Sequence, residues 1–144
     1  MTTIQKAGAI ILNQKDPALV ALLYRSKQDD WSFPKGHVEE NESVIATMRR
    51  EVAEETGLLV HLVDNELLPM EYIHPKGDHV IVSMFIVQSD NDVIPKIKLK
   101  GDKIIWVPYK EVADKLSYDN VKQYYHKILR RVEDVIKELQ SKIY

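Results

Sequence analysis

Residues 36–58 read GHVEENESVIATMRREVAEETGL, and this stretch decides the fold. Ser43 stands where a helix N-cap belongs, no Pro or Gly interrupts the run to Glu55, and Gly57 follows where a left-handed residue ends a helix. The spacing predicts a helix over Ser43–Glu55. Its acidic residues are placed against helix stability. Glu54 and Glu55 follow Glu51 by three and four positions. At about 100° per residue, the three carboxylates therefore share roughly a third of the helix circumference. Like charges at these separations cost about 0.2–0.5 kcal/mol per pair, and the last turn of a helix favours cations. A divalent cation removes both penalties, and hard carboxylate oxygens are the ligands Mg²⁺ prefers. Val44, Ile45, Met48 and Val52 form the apolar stripe. A helical wheel puts Glu55 over Val44 and Met48 with Glu51 beside them, so these carboxylates border the core. For an isolated E-x-x-E-E the plain alternative is a salt-bridged surface helix, with Arg49 and Arg50 as partners.

Working outward, Ala7–Leu12 and Leu19–Arg25 are short apolar runs separated by the polar Asn13–Ala18, which predicts two strands and a turn. Trp31-Ser32-Phe33-Pro34 alternates briefly before Pro34-Lys35-Gly36 breaks regularity. Leu58–Val63, His79–Gln88 and Ile104–Val107 read as strands, and Tyr109–Leu116 as a short helix. Tyr118 to Gln140 is a long amphipathic helix, with Val121, Tyr125, Ile128, Val132, Val135 and Leu139 at helical spacing. This order predicts a mixed sheet with helices on both faces.

The 144 residues are 44% hydrophobic and 29% charged, a globular composition with room for one core. A net charge of −2 gives no general attraction to nucleic-acid duplexes or acidic membranes. The absence of cysteine excludes disulfides, a thiolate nucleophile and Cys-ligated zinc. The apolar run at Ala7–Leu12 is too short for a signal-peptide core, and no run of about 18 apolar residues occurs. A cytoplasmic protein without a membrane partner is the expectation, either a monomer or a weak homodimer.

Gly36–Leu58 also resembles, without a gap, the Nudix signature G-x₅-E-x₇-R-E-U-x-E-E-x-G-U, where U is a bulky aliphatic residue. Gly36, Glu42, Arg50, Glu51, Val52, Glu54, Glu55, Gly57 and Leu58 fill its specified places. The resemblance implies an α/β Nudix fold, a mixed β-sheet sandwiched between helices (α/β/α), forming one hydrolase domain over residues 1–144. It implies that Glu51, Glu54 and Glu55 hold Mg²⁺, for which Mn²⁺ can substitute, with the Lys35 backbone carbonyl completing the shell. Arg50 would orient a carboxylate through its planar fork, and Glu42 would support the loop or an outer-shell metal. Gly36 would make a tight turn and Gly57 a helix stop. The general base is Glu54 or its rival Glu51.

Trp31-Ser32-Phe33-Pro34-Lys35-Gly36-His37-Val38-Glu39 further resembles the stretch preceding the box in diadenosine tetraphosphate and related dinucleoside polyphosphate hydrolases. MutT-like relatives more often carry a second glycine at the position of Lys35. Glu71–His74 and Gly77–Val80 resemble that subgroup's strand pair after the box, and Leu116–Asn120 the start of its last helix. The substrate contacts so implied are Lys35, His37, Tyr72, Lys76 and Tyr118, the two tyrosines as base-stacking rings, with His74 and His79 also within reach of phosphates. Trp31 and Phe33 equally suit core packing. One departure stands out. Many relatives carry another glutamate shortly before the late-strand tryptophan, whereas before Trp106 this chain has Lys100, Gly101 and Asp102. Asp102 is the nearest carboxylate outside the box and a third candidate base. The implied activity is hydrolysis of a phosphoanhydride in a small nucleoside-diphosphate-linked substrate, foremost a dinucleoside polyphosphate such as diadenosine tetraphosphate, giving ATP and AMP. The alternatives are a MutT-like pyrophosphatase acting on (oxidised) nucleoside triphosphates, and a non-catalytic nucleotide-sensing module. The last is disfavoured by the intact carboxylate set and by the lack of room for an appended domain.

Overall fold

The computed structural model describes residues 2–90 and 100–143; residues 1, 91–99 and 144 of the expected domain lie outside the described residues. Strand β1 (Thr3–Leu12) runs through the middle of an eight-stranded sheet. Its continuous apolar stretch Ala7–Leu12 is buried on both faces, the pattern of a central strand with a parallel neighbour. That neighbour is β7 (His79–Ser89), paired in parallel from Thr3↔His79 to Leu12↔Gln88. The intervening chain makes β2 (Leu19–Arg25), β3 (Asp30–Ser32), β4 (Lys35–His37), helix α1 (Val44–Thr56), β5 (Val60–Asp64) and β6 (Met70–Ile73). It is followed by β8 (Lys103–Pro108), the short α2 (Val112–Lys115) and the long α3 (Asp119–Ser141). The strand order is β3-β2-β1-β7-β5, with β4 also on β1, β6 on β7 and β8 on β2.

Alternation along β1 divides the core in two. Ala7, Ala9 and Ile11 pack with Met48 and Val52 of α1. Ile10 and Leu12 pack with Val20, Phe33, Tyr125, Ile128 and Val132 on the α3 side. Helices thus cover both faces, as expected for α/β/α, and each fully buried Ile or Leu contributes about 1.5–3 kcal/mol. The stripe expected on α3 is buried from Val121 to Val135, with Tyr124 and Ile136 added and Leu139 half-buried. Both buried tyrosines satisfy their hydroxyls, Tyr124 donating to Leu68 O (2.6 Å) and Tyr125 to Tyr109 O (2.7 Å). Among the described residues no helix is long and apolar enough to cross a membrane.

The structure corrects the expected elements in three places. Lys35–His37 is a strand, not a break, because it pairs antiparallel with β1 (Ala7↔Gly36, Gly8↔Lys35). Gly36 therefore makes no tight turn. Leu58 and Leu59 precede β5, since the Leu58 N–H donates to Thr56 Oγ1 (3.0 Å) and closes off α1. Tyr109–Leu116 divides into a 3₁₀ turn, Tyr109–Glu111, and α2.

Candidate active site

Helix α1 is fixed at both ends by its own sequence. Ser43 accepts from the Ala46 N–H (3.1 Å), and Gly57 takes φ 74° to end the helix with its N–H on Ala53 O (2.9 Å). Its last turn carries no basic residue to balance the carboxylates.

Arg50 organises those carboxylates. Its Nε and Nη2 donate to the two oxygens of Glu42 (2.8 and 3.0 Å), and Nη1 donates to Glu51 (2.8 Å) and more distantly to Glu54 (3.4 Å). Nη2 also donates to His37 O (3.0 Å), tying α1 to β4. Glu42 accepts in addition from Thr47 Oγ1 (2.5 Å) and the Glu39 N–H (3.2 Å), and its pKa falls to about 2, chiefly because Arg50 and then Thr47 bond its charged form. Glu42 thus belongs to the loop and to Arg50. Thr47 escaped the sequence reading because a threonine inside a helix gives no signal of its partner.

Glu55 lies on the other side of the cluster. Its carboxylate accepts from the Lys35 N–H (3.0 Å), yet its pKa rises to about 8, first through burial and second through the nearby Glu51. Gly36 makes this crowding possible, because a Cβ there would overlap the Glu51 carboxylate. Pro34 and Val38 turn their bonding groups toward β1, so Lys35, of opposite parity, directs its N–H and C=O away from it. That leaves the Lys35 carbonyl free of the β1 ladder and consistent with a ligand role. Glu51 is mostly buried, with 14% of its side chain exposed, whereas Glu54 is 47% exposed. Among the described residues no three His, Asp or Glu side chains converge into a ready-made cage. The donor set nevertheless suits a hard divalent cation: two crowded carboxylates, one of them raised in pKa, and a third one helical turn away.

Beside this cluster opens a cleft of about 470 Å³ lined by Lys6, Arg25, Lys35, Tyr72, Ile73, His74, Pro75, Tyr118, Asn120 and Val121. Lys35 joins the two regions, its backbone on Glu55 and its side chain in the cleft. Its ammonium pKa falls to about 8 through burial, then through Lys6 and Arg25, the mark of three cations gathered in one place. Tyr72 and Tyr118 line the cleft. His37 does not; its side chain is exposed and its carbonyl serves Arg50. Lys76 is exposed on the turn after His74, outside the lining. His79 pairs with Glu71 (3.4 Å). Phe33 is core, against Tyr125, and Trp31 packs on Tyr24 with ring centroids 5.0 Å apart. Asp102 accepts from the Ser26 N–H (2.8 Å) and Oγ (3.2 Å), holding the end of β2. The sequence reading missed Lys6, Arg25 and Asp30. Lys6 did leave a signal, since it shares the face of β1 that carries Ile4, Ile10 and Leu12.

A family model described as NUDIX domain matches residues 2–131. An 8-oxo-(d)GTP phosphatase of Mycolicibacterium smegmatis is 27% identical over 142 residues, 92% of this chain and 43% of that protein. The m7GpppN-mRNA hydrolase of Saccharomyces cerevisiae is 28% identical over 126 residues, 85% of this chain and 12% of that protein. The chain thus spans less than half the length of these curated relatives. Among solved structures, a C. elegans Ap4A hydrolase binary complex superposes with TM-score 0.77 at 18% identity, covering 91% of this chain and 98% of the other. A MutT protein from Methanosarcina mazei Go1 gives 0.74 at 22% identity, covering 90% and 95%. At these identities the structural likeness speaks for the fold.

Proposed function

The chain belongs to the NUDIX family, and from that premise we propose that it is a divalent-metal-dependent hydrolase cleaving a phosphoanhydride bond in dinucleoside polyphosphates such as diadenosine tetraphosphate. The observation that carries this reading is the gathering of Lys6, Arg25 and Lys35 with Tyr72 and Tyr118 around one cleft, joined to Glu55 through Lys35. Three cations suit a long polyphosphate, and two aromatic rings suit a nucleoside.

Glu51, Glu54, Glu55 and the Lys35 carbonyl are the groups placed to hold Mg²⁺ or Mn²⁺. When bound, such an ion neutralises phosphate oxygens and acidifies a water molecule. The chain's own residues do the rest. Arg50 fixes Glu51 and leaves Glu54 only loosely held, so Glu54 is the carboxylate freest to accept the proton of the attacking water. Glu51 is the second candidate for that role. Water adds across one P–O–P bond: its oxygen joins the attacked phosphorus, its proton goes to the base, and the bridging oxygen leaves with the departing phosphate. Lys6, Arg25 and Lys35 hold the polyphosphate in line. Asp102, committed to Ser26, takes no part.

A second reading, a MutT-like pyrophosphatase of oxidised nucleoside triphosphates, is favoured by the likeness to the mycobacterial 8-oxo-(d)GTP phosphatase over 92% of this chain. A substrate panel with product chromatography separates the two. Diadenosine tetraphosphate should yield ATP and AMP, dependent on Mg²⁺ or Mn²⁺ and stopped by a chelator. Faster cleavage of an oxidised triphosphate would replace the first reading with the second.

A further inference from the structure

Asp30 is 1% exposed, yet it carries a carboxylate and lies next to the cleft. Both of its oxygens are used. Arg25 donates through Nε to Oδ1 (2.8 Å) and through Nη2 to Oδ2 (2.6 Å), and the Tyr118 hydroxyl donates to the same Oδ2 (2.6 Å). Arg25 and Asp30 are register partners across β2 and β3, while Tyr118 comes from the residue preceding α3. One buried carboxylate thus joins three segments that meet only in the folded chain.

Of the five N–H donors on the Arg25 guanidinium, Asp30 engages two. The Tyr118 hydroxyl also lies against the guanidinium, and Arg25 lines the cleft with a third of its side chain (34%) exposed. Tyr118 lines the same cleft and is 45% exposed, although its hydroxyl is tied down. The neighbouring main chain already fastens β3 to the start of α3: Ser117 N–H donates to Trp31 O (3.1 Å) and Trp31 N–H to Ser117 Oγ (2.7 Å). A structural staple is therefore present without Asp30. What Asp30 adds is the orientation of one guanidinium and one phenol toward a common space.

We propose that Asp30 is a positioning residue that presents Arg25 to the phosphates and Tyr118 to the nucleoside of a bound nucleotide as one preorganised unit. The inference rests on the cleft being the nucleotide site of the proposed function, and it makes Arg25 and Tyr118 specificity-determining residues. A planar guanidinium held by a fork keeps its outer edge aimed, so ligand binding spends no free energy on ordering it. A ring held by its hydroxyl presents its face in the same way.

Binding is the direct test, measured by calorimetry in Mg²⁺ with inorganic tripolyphosphate and with the β,γ-methylene analogue of ATP. Asp30→Asn keeps the shape of the side chain and removes the charged fork; it should weaken both ligands about tenfold. Arg25→Lys should weaken both to a similar extent. With tripolyphosphate the double variant should be no weaker than Arg25→Lys alone, because toward phosphate both changes act through Arg25. Tyr118→Phe should weaken the nucleotide analogue and leave tripolyphosphate unchanged. Steady-state kinetics should show the Asp30→Asn loss mainly in KM. Folding is checked by circular dichroism, and Asp30→Glu serves as the second carboxylate variant should Asp30→Asn unfold, with partial retention of both affinities expected. Wild-type affinities in folded Asp30→Asn, additive losses of tripolyphosphate affinity in the double variant, or a wild-type protein that does not bind tripolyphosphate would each overturn the proposal. Failure of the wild type to hydrolyse dinucleoside polyphosphates would instead overturn the proposed function, with the binding measurements still readable.

Discussion

Arg50 grips both carboxylate oxygens of Glu42 with Nε and Nη2 and turns Nη1 toward Glu51, so one guanidinium fixes the loop before α1 and a carboxylate within it. Lysine offers a point charge in place of a planar fork and cannot hold both. Arg50→Lys should lower kcat or metal affinity about 10- to 100-fold, the usual scale for residues that orient metal ligands. Kinetics over a Mg²⁺ titration measure this, and an unchanged profile would remove Arg50 from the orienting role.

Gly36 touches the chemistry through what it lacks. A methyl group there meets the far end of the Glu51 side chain and not rigid backbone. Gly36→Ala should therefore displace the carboxylate and spare the fold. The expected result is a thermal midpoint close to wild type with metal-dependent turnover reduced by at least tenfold. A large loss of stability with normal specific activity of the folded fraction would refute this account.

The crowded pair Glu51 and Glu55 costs stability when both are charged, and burial of Glu55 adds to the cost. A divalent cation that binds the folded chain should raise its melting temperature, increasingly so above its dissociation constant. Glu55→Gln should abolish most of that increase and reduce turnover by orders of magnitude, with circular dichroism unchanged. Full turnover of Glu55→Gln at saturating Mg²⁺ would take Glu55 out of the metal site.

Far from the cleft, Asp64 on β5 accepts from Nε and Nη2 of Arg131 on α3 (3.0 and 2.9 Å), and that contact holds its pKa below the usual carboxylate value. A depressed carboxylate stabilises the folded state above its unfolded pKa, and the contribution fades as pH falls through the folded value. Half of the Arg131 side chain is exposed, so solvent reduces the pair's worth to about 1–2 kcal/mol. Asp64→Asn should lose that amount in urea unfolding at pH 7, and the gap should close below about pH 4. A gap of constant size at both pH values would show that the pair's charge is not its source.

The parts legible in the sequence are those whose constraints are local. The cap at Ser43, the stop at Gly57 and the periodicity between them lie within one helix, so α1 and its carboxylates could be placed without a partner in view. The same holds for the apolar runs of β1 and β7 and the stripe of α3. Strand β4 was illegible because three residues following a proline become a strand only by pairing with β1, some thirty positions earlier. Arg25 and Asp30 were illegible for a related reason. Each reads as an ordinary polar residue near a hairpin turn until α3 brings Tyr118 to them.

The split between Gly36–Gly57 and the cleft has an evolutionary consequence. In the proposed function, the carboxylates assigned to the bond to be broken sit in one short contiguous piece of chain, braced internally by Arg50 and directly preceded by Lys35. The walls that would meet the rest of the ligand come from β1, β2, β4, β6 with the segment after it, and the start of α3, of which β2 and α3 are coupled through Asp30. On that reading, a lineage carrying this fold can vary these walls, changing the β2 and α3 sides together, while the hydrolytic piece is inherited whole.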